Sequence, residues 1–147
     1  MNQPSCCIAA VVLALAGILS PSTVKAQASG CLSIDHWARA TLHHATHLAT
    51  ASDVETQKDR DAYGILPADS SDVVLITDDL VCARFAEAYV ERLSEDEVAS
   101  DIPPSVHVIR IGSRYLVWDP ETATPESEFI LFVVFDEKRN EVGGFVG

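Results

Sequence analysis

A chain of 147 residues amounts to one domain. It carries 22 acidic against 10 basic residues, a net charge of −12, and such a surface repels nucleic acid and anionic lipid. The basic residues and the two tryptophans are scattered, which also argues against a nucleic-acid platform.

The chain opens on a targeting segment. Ile8 to Leu19, IAAVVLALAGIL, is an unbroken apolar run, short for a bilayer span but the length of a signal-peptide core. Val24-Lys25-Ala26 and Ala26-Gln27-Ala28 each satisfy a small-x-small cleavage rule. The expectation is a bacterial signal peptide over residues 1–26, cleaved near 26 or 28, and a single domain over 27–147 that is secreted or periplasmic and leaves the membrane on cleavage. No Lys or Arg precedes the run, so retention as an anchor is the alternative. Ala28-Ser29-Gly30-Cys31 lacks the leucine three places before the cysteine that a lipoprotein site carries, which disfavours a lipid anchor. Cleavage removes Lys25, Cys6 and Cys7, taking the net charge to −13 and leaving two cysteines, Cys31 and Cys82. In an oxidising compartment these two are expected to pair. The bridge closes a loop of about 50 residues, worth roughly 4 kcal/mol in the chain-entropy model.

CLSIDHWARATLHHATHLATA predicts the first helix. At 100° per residue Trp37, Ala38, Leu42, Ala45, Leu48 and Ala49 share one apolar arc, with Ser33 as the N-cap and Asp35 in the first turn. SDVETQKDRDAYGILPADSSD, broken by Gly64 and Pro67, reads as a polar surface connection. VVLIT (Val73 to Thr77) fits a short strand. TDDLVCARFAEAYVERL follows as a second helix, capped by Thr77 or Asp78, with Cys82, Phe85, Ala86, Tyr89 and Leu93 on its apolar face. An acidic, proline-terminated connection, SEDEVASDIPPS, leads into strands.

VHVIRIGSRYLVWD predicts a hairpin turning at Gly112-Ser113, pairing Ile111 with Arg114, Ile109 with Leu116 and His107 with Trp118. FILFVVFDEKRNEVGGFVG predicts a second hairpin turning at about Glu137 to Asn140. Helices followed by a run of strands give an α+β fold, with two helices packed on one face of a four- to five-stranded antiparallel sheet. The stretches ITDDLVCARFAEAY, VHVIRIGSRYLVWDP and FILFVVFDEKRNEVGGF resemble small exported bacterial proteins in which a cysteine-bearing helix precedes two C-terminal β-hairpins. That resemblance carries no activity and transfers no functional residues. The element order is also similar to cystatin-like and PepSY-like domains, an architectural analogy that leaves function open.

The candidate chemistry is sparse. His36, His43 and His47 fall on the polar face of the first helix, and His44 lies at the boundary of its apolar arc. His43 and His47, spaced i,i+4, are the candidate metal pair for zinc, nickel or copper. His36 lies about 10 Å from His43 along the axis, too far to join them. No acidic residue stands between Asp35 and Asp53, so a third ligand must come from elsewhere. His107, with Trp118 and Tyr115, is the candidate pocket, where His107 would act as a general base. Asp78 and Asp79 read as helix-capping acids, and Asp119, Asp136 and Glu137 as turn acids. Phosphate-loop, G-x-S-x-G, H-E-x-x-H and C-x-x-C patterns are all lacking, and no cofactor is expected. The leading expectation is an exported, non-catalytic binding or inhibitory module with a protein or small-molecule partner. A metal-binding protein using His43 and His47, and a small enzyme around His107, are the alternatives.

Overall fold

The computed structural model describes residues 30–95, 105–122 and 129–147. The expected signal peptide and its cleavage sites lie outside the described residues. The elements run α1 (His36–Thr50), α2 (Val54–Tyr63), β1 (Val73–Leu75), α3 (Asp79–Glu95), β2 (His107–Ile111), β3 (Arg114–Trp118), β4 (Leu131–Phe135) and β5 (Glu141–Val146). Single 3₁₀ turns at Ser70–Asp72 and Pro120–Thr122 lead into β1 and out of β3.

Both long helices form where the apolar period predicts them, with caps supplied by aspartates. Asp35 rather than Ser33 is the N-cap of α1: its carboxylate accepts a hydrogen bond from the Ala38 N–H at 2.8 Å. That bond holds the Asp35 carboxyl below the usual carboxylate range. Asp78 precedes α3 and accepts from the Leu80 N–H at 2.9 Å.

The polar connection after α1 contains a helix that the sequence reading missed. Asp53 caps α2, accepting from both the backbone N–H and the hydroxyl of Thr56, and Gly64 ends it in the left-handed region at φ 77°. The helix has almost no apolar stripe. What anchors it is Arg60, only 6% exposed, whose guanidinium donates to the carbonyls of Leu48 at 2.8 Å and Ala51 at 2.6 Å. These belong to the last turn of α1 and its C-cap, where carbonyls lack intrahelical partners and a cation is favoured. His47 and Ala49 carbonyls there accept from the N–H groups of Ala51 and Ala68.

The sheet is a five-stranded antiparallel meander in the order β1-β2-β3-β4-β5. The hairpin register matches expectation: His107 opposes Trp118, Ile109 opposes Leu116, and Ile111 opposes Arg114, with Gly112 taking a positive φ of 61° in the turn. The β4–β5 turn is built on Asp136, whose carboxylate accepts from the N–H groups of Lys138 and Asn140. Those bonds hold the Asp136 carboxyl below its usual range.

The α+β class and the antiparallel sheet stand as expected, but the helices do not share a face. Ala38, Ala45, Leu48 and Ala49 of α1 pack with Ile109, Ile111, Leu116, Trp118, Phe132 and Val134. Cys82, Phe85, Ala86, Tyr89 and Leu93 of α3 pack with Val108, Val117, Val133 and Phe135. Neighbouring residues of a strand point to opposite sides, so Val108 beside Ile109, or Val133 beside Val134, places the two helices on opposite faces. The sheet is the middle of three layers, which departs from the one-faced arrangement expected by analogy with cystatin-like and PepSY-like domains.

The segment entering α1 is tied to the α3 layer. Leu32 N–H donates to Val106 O at 2.9 Å and Val106 N–H to Gly30 O at 3.0 Å, a parallel bridge beside β2. Cys31 is disulfide-bonded to Cys82, which is fully buried in α3. Among the described residues no helix is long and apolar enough to cross a membrane.

Candidate functional site

The residues singled out in the sequence are dispersed rather than gathered. His36, His43, His44 and His47 are all exposed on α1. His43 and His47 lie one helical turn apart, and among the described residues no three His, Cys, Asp or Glu side chains converge to hold a metal ion. His107 and Trp118 are in contact, ring centroids 4.9 Å apart, on the α1 face of the sheet. Tyr115 does not join them: odd spacing from Trp118 along β3 turns it to the α3 face, where it stacks on Phe85 at 4.6 Å. His107 is only 4% exposed, and burial pushes its pKa below the ordinary value, partly opposed by the negative charge of Asp35.

Cross-strand pairing instead places a row of rings on the α1 face. From His107 the row runs through Trp118, Phe132 and Phe145 to Tyr63 of α2, with successive centroids 4.9, 5.3, 4.7 and 4.4 Å apart. Register creates it: His107 opposes Trp118 and Phe132 opposes Phe145, so each hairpin contributes adjacent rings. α1 lies over β1 and β2 and leaves the β4–β5 end of this row uncovered. Between them is a groove of about 280 Å³, walled by Trp37, Thr41 and His44 and floored by Phe132 and Phe145.

Trp37 is where sequence and structure disagree most. The helical period puts it on the core arc, yet it is 68% exposed. It lies at one margin of the arc, and the sheet covers the part centred on Ala38, Ala45 and Ala49. Its ring is held against His36, centroids 4.6 Å apart. Among the described residues that line it the one titratable side chain is His44, and the Thr41 hydroxyl donates to the Trp37 carbonyl. Its chemistry is apolar contact bounded by one imidazole.

A second concavity lies on the opposite layer, between α3 and the β4–β5 turn, with a volume of about 530 Å³. Charged side chains dominate it: Arg84, Glu87, Glu91 and Arg92 from α3, and Lys138, Arg139 and Glu141 from the hairpin. Arg92 is ion-paired to Glu141 at 2.8 Å. Sequence alone does not bring this cleft together, because Arg84 and Lys138 are 54 positions apart and only the fold unites them.

No family model, curated protein or solved structure matches the chain.

Proposed function

We propose that the protein is an exported, non-catalytic binding module that holds an apolar side chain of a partner protein in the Trp37 groove. The observation carrying this reading is Trp37 itself, a large aromatic left 68% exposed beside buried Phe132 and half-buried Phe145. Tryptophan is the residue type most enriched among interface positions that dominate binding energy, and such positions sit over pockets that accept one or two side chains. The groove volume of about 280 Å³ suits an anchor of that size. A net charge of −12 favours approach by a partner whose apolar anchor is flanked by basic residues. Export is supported by the apolar run Ile8–Leu19 and by the Cys31–Cys82 disulfide, a bond that persists in oxidising compartments.

The test is selection from a peptide library displayed on phage. Enriched peptides are expected to carry an aromatic or branched aliphatic residue near Lys or Arg, to shift the emission of Trp37, and to bind Trp37→Ala at least tenfold more weakly. Trp118 also neighbours Phe132 of the groove, so the same shift in a Trp118→Phe protein assigns the emission change to Trp37. Failure to enrich any peptide, or enrichment of peptides that bind Trp37→Ala as well as the parent, overturns the reading.

A further inference from the structure

The charged cleft on the α3 layer presents a distribution that the rest of the chain does not. Acidic residues outnumber basic ones by more than two to one, yet four of the ten Lys and Arg residues, Arg84, Arg92, Lys138 and Arg139, line this one concavity. They come from two elements. Arg84 and Arg92 lie two turns apart on one side of α3 with Ala88 between them, and Lys138 and Arg139 project from the β4–β5 turn. Bringing four cations together raises the energy of the fold by mutual repulsion unless negative charge is brought in with them.

The protein supplies part of that charge. Glu141 takes Arg92, and Glu87 and Glu91 stand on the same side of α3. Against these three carboxylates the four cations leave one positive charge in excess, on a molecule whose total is −12. Among the described residues no hydrogen bond or ion pair engages the side chains of Arg84, Lys138 or Arg139. The turn also holds Arg139 at φ 66°, the only non-glycine residue in the left-handed region among those described. Asn, Asp and Gly occupy that conformation at lower cost, so an arginine there is set by something other than turn stability. Phe135, 2% exposed, and Ala88 give the cleft a rigid apolar base that excludes water from one side of any ligand.

We infer that this cleft is a binding site for a small molecule bearing a carboxylate or phosphate group, held by Arg84, Lys138 and Arg139. Guanidinium groups bind either oxyanion through paired N–H donors, and the ammonium of Lys138 adds a mobile point charge. Glu87 and Glu91 narrow the choice: they repel a ligand negative along its length, so the ligand is compact, with its anionic group at one end. The site lies on the opposite side of the sheet from Trp37, so the inference stands apart from the reading of that groove.

Titration of the folded, disulfide-bonded protein with butyrate, which carries one carboxylate at one end, and separately with inorganic phosphate tests it, with sodium chloride at matched ionic strength as the control. Side-chain Nε–H resonances of the arginines and calorimetry report binding. The expected result is saturable binding of at least one probe tighter than about 5 mM, moving the Arg84 and Arg139 resonances. It weakens at least fivefold in Arg84→Gln and in Arg139→Asn, the latter chosen because Asn tolerates the left-handed conformation. Response to butyrate alone assigns a carboxylate ligand, to phosphate alone a phosphate ligand, and to both a general oxyanion site. No saturation by either probe, or affinity unchanged in both variants, overturns the inference. Trp37→Ala is expected to leave this binding intact.

Discussion

Replacing Arg60 by methionine is the sharpest test of how the helical layer over β1, β2 and β5 is assembled. Arg60 is 6% exposed and no carboxylate among the described residues pairs with it; its partners are the carbonyls of Leu48 and Ala51. Methionine keeps much of the aliphatic stem and removes both donors. The Leu48 carbonyl belongs to a residue that is 2% exposed, and leaving it unsatisfied costs about 1–3 kcal/mol. Ala51 is only half-buried, so water replaces most of the second bond. Loss of a cation at the α1 C-terminus adds about 0.3–1 kcal/mol, while relief from burying a charge returns part of the total. The net expectation is a loss of about 2–3 kcal/mol, or roughly 8–12 °C in Tm for a domain of this size. Urea unfolding with an unchanged m-value measures it, and faster hydrogen exchange at the Ala51 and Ala68 amides, which close the same turn, localises it. Arg60→Lys, with a single point charge in place of a fork, is expected to recover about half the loss. An Arg60→Met protein within about 0.5 kcal/mol of the parent would refute the reasoning, because it would mean that water already satisfies both carbonyls.

The Cys31–Cys82 bridge spans a sequence separation of 51 residues, so reduction is expected to lower stability by about 4 kcal/mol, read from urea curves of oxidised and reduced protein. Alkylation of the exported protein without prior reduction is expected to label neither cysteine, and label on either refutes the pairing in vivo. Gly143→Ala is expected to cost about 2 kcal/mol or more, since a Cβ there meets the backbone carbonyl of Tyr63 where α2 ends; wild-type stability would show that α2 moves aside freely. The folded-state pKa of His107 is lowered, so between the ordinary histidine value and that lower one the unfolded chain binds the proton more readily. Stability is therefore full above pH 6.5 and falls as the pH drops through that window. Urea midpoints at pH 7.5 and 5.5 are expected to differ less in His107→Gln than in the parent, and equal differences would dismiss burial as the cause.

Much of the fold was legible because local chemistry specifies it. Period and capping mark α1 and α3, Gly112-Ser113 specifies the β2–β3 register, and the cysteine count points to the bridge. α2 escaped notice because its fastening is a single buried arginine reaching carbonyls nine and twelve residues back, which has no hydrophobic period. The faces were misread although a signal was present: Val106, Val108 and Ile109, or Phe132 through Phe135, are apolar on both parities. A sheet covered on one side alternates; one covered on both reads as a continuous apolar run. Parity also separates Tyr115 from His107 and Trp118, since Tyr115 lies on the other side of the sheet.

Composition and local pattern determined the class, the β2–β3 register and the cysteine pair, because each depends on residues close in sequence or on a count. Tertiary structure alone decided which part of the α1 arc the sheet covers, and so left Trp37 outside while Ala38, its neighbour, is buried. It also brought Arg84 and Lys138 to one cleft and lined up rings from four strands and a helix. The physical reason is common to all three. A helical or strand period states which direction a side chain points, but what lies in that direction is set by how the layers are laid across one another.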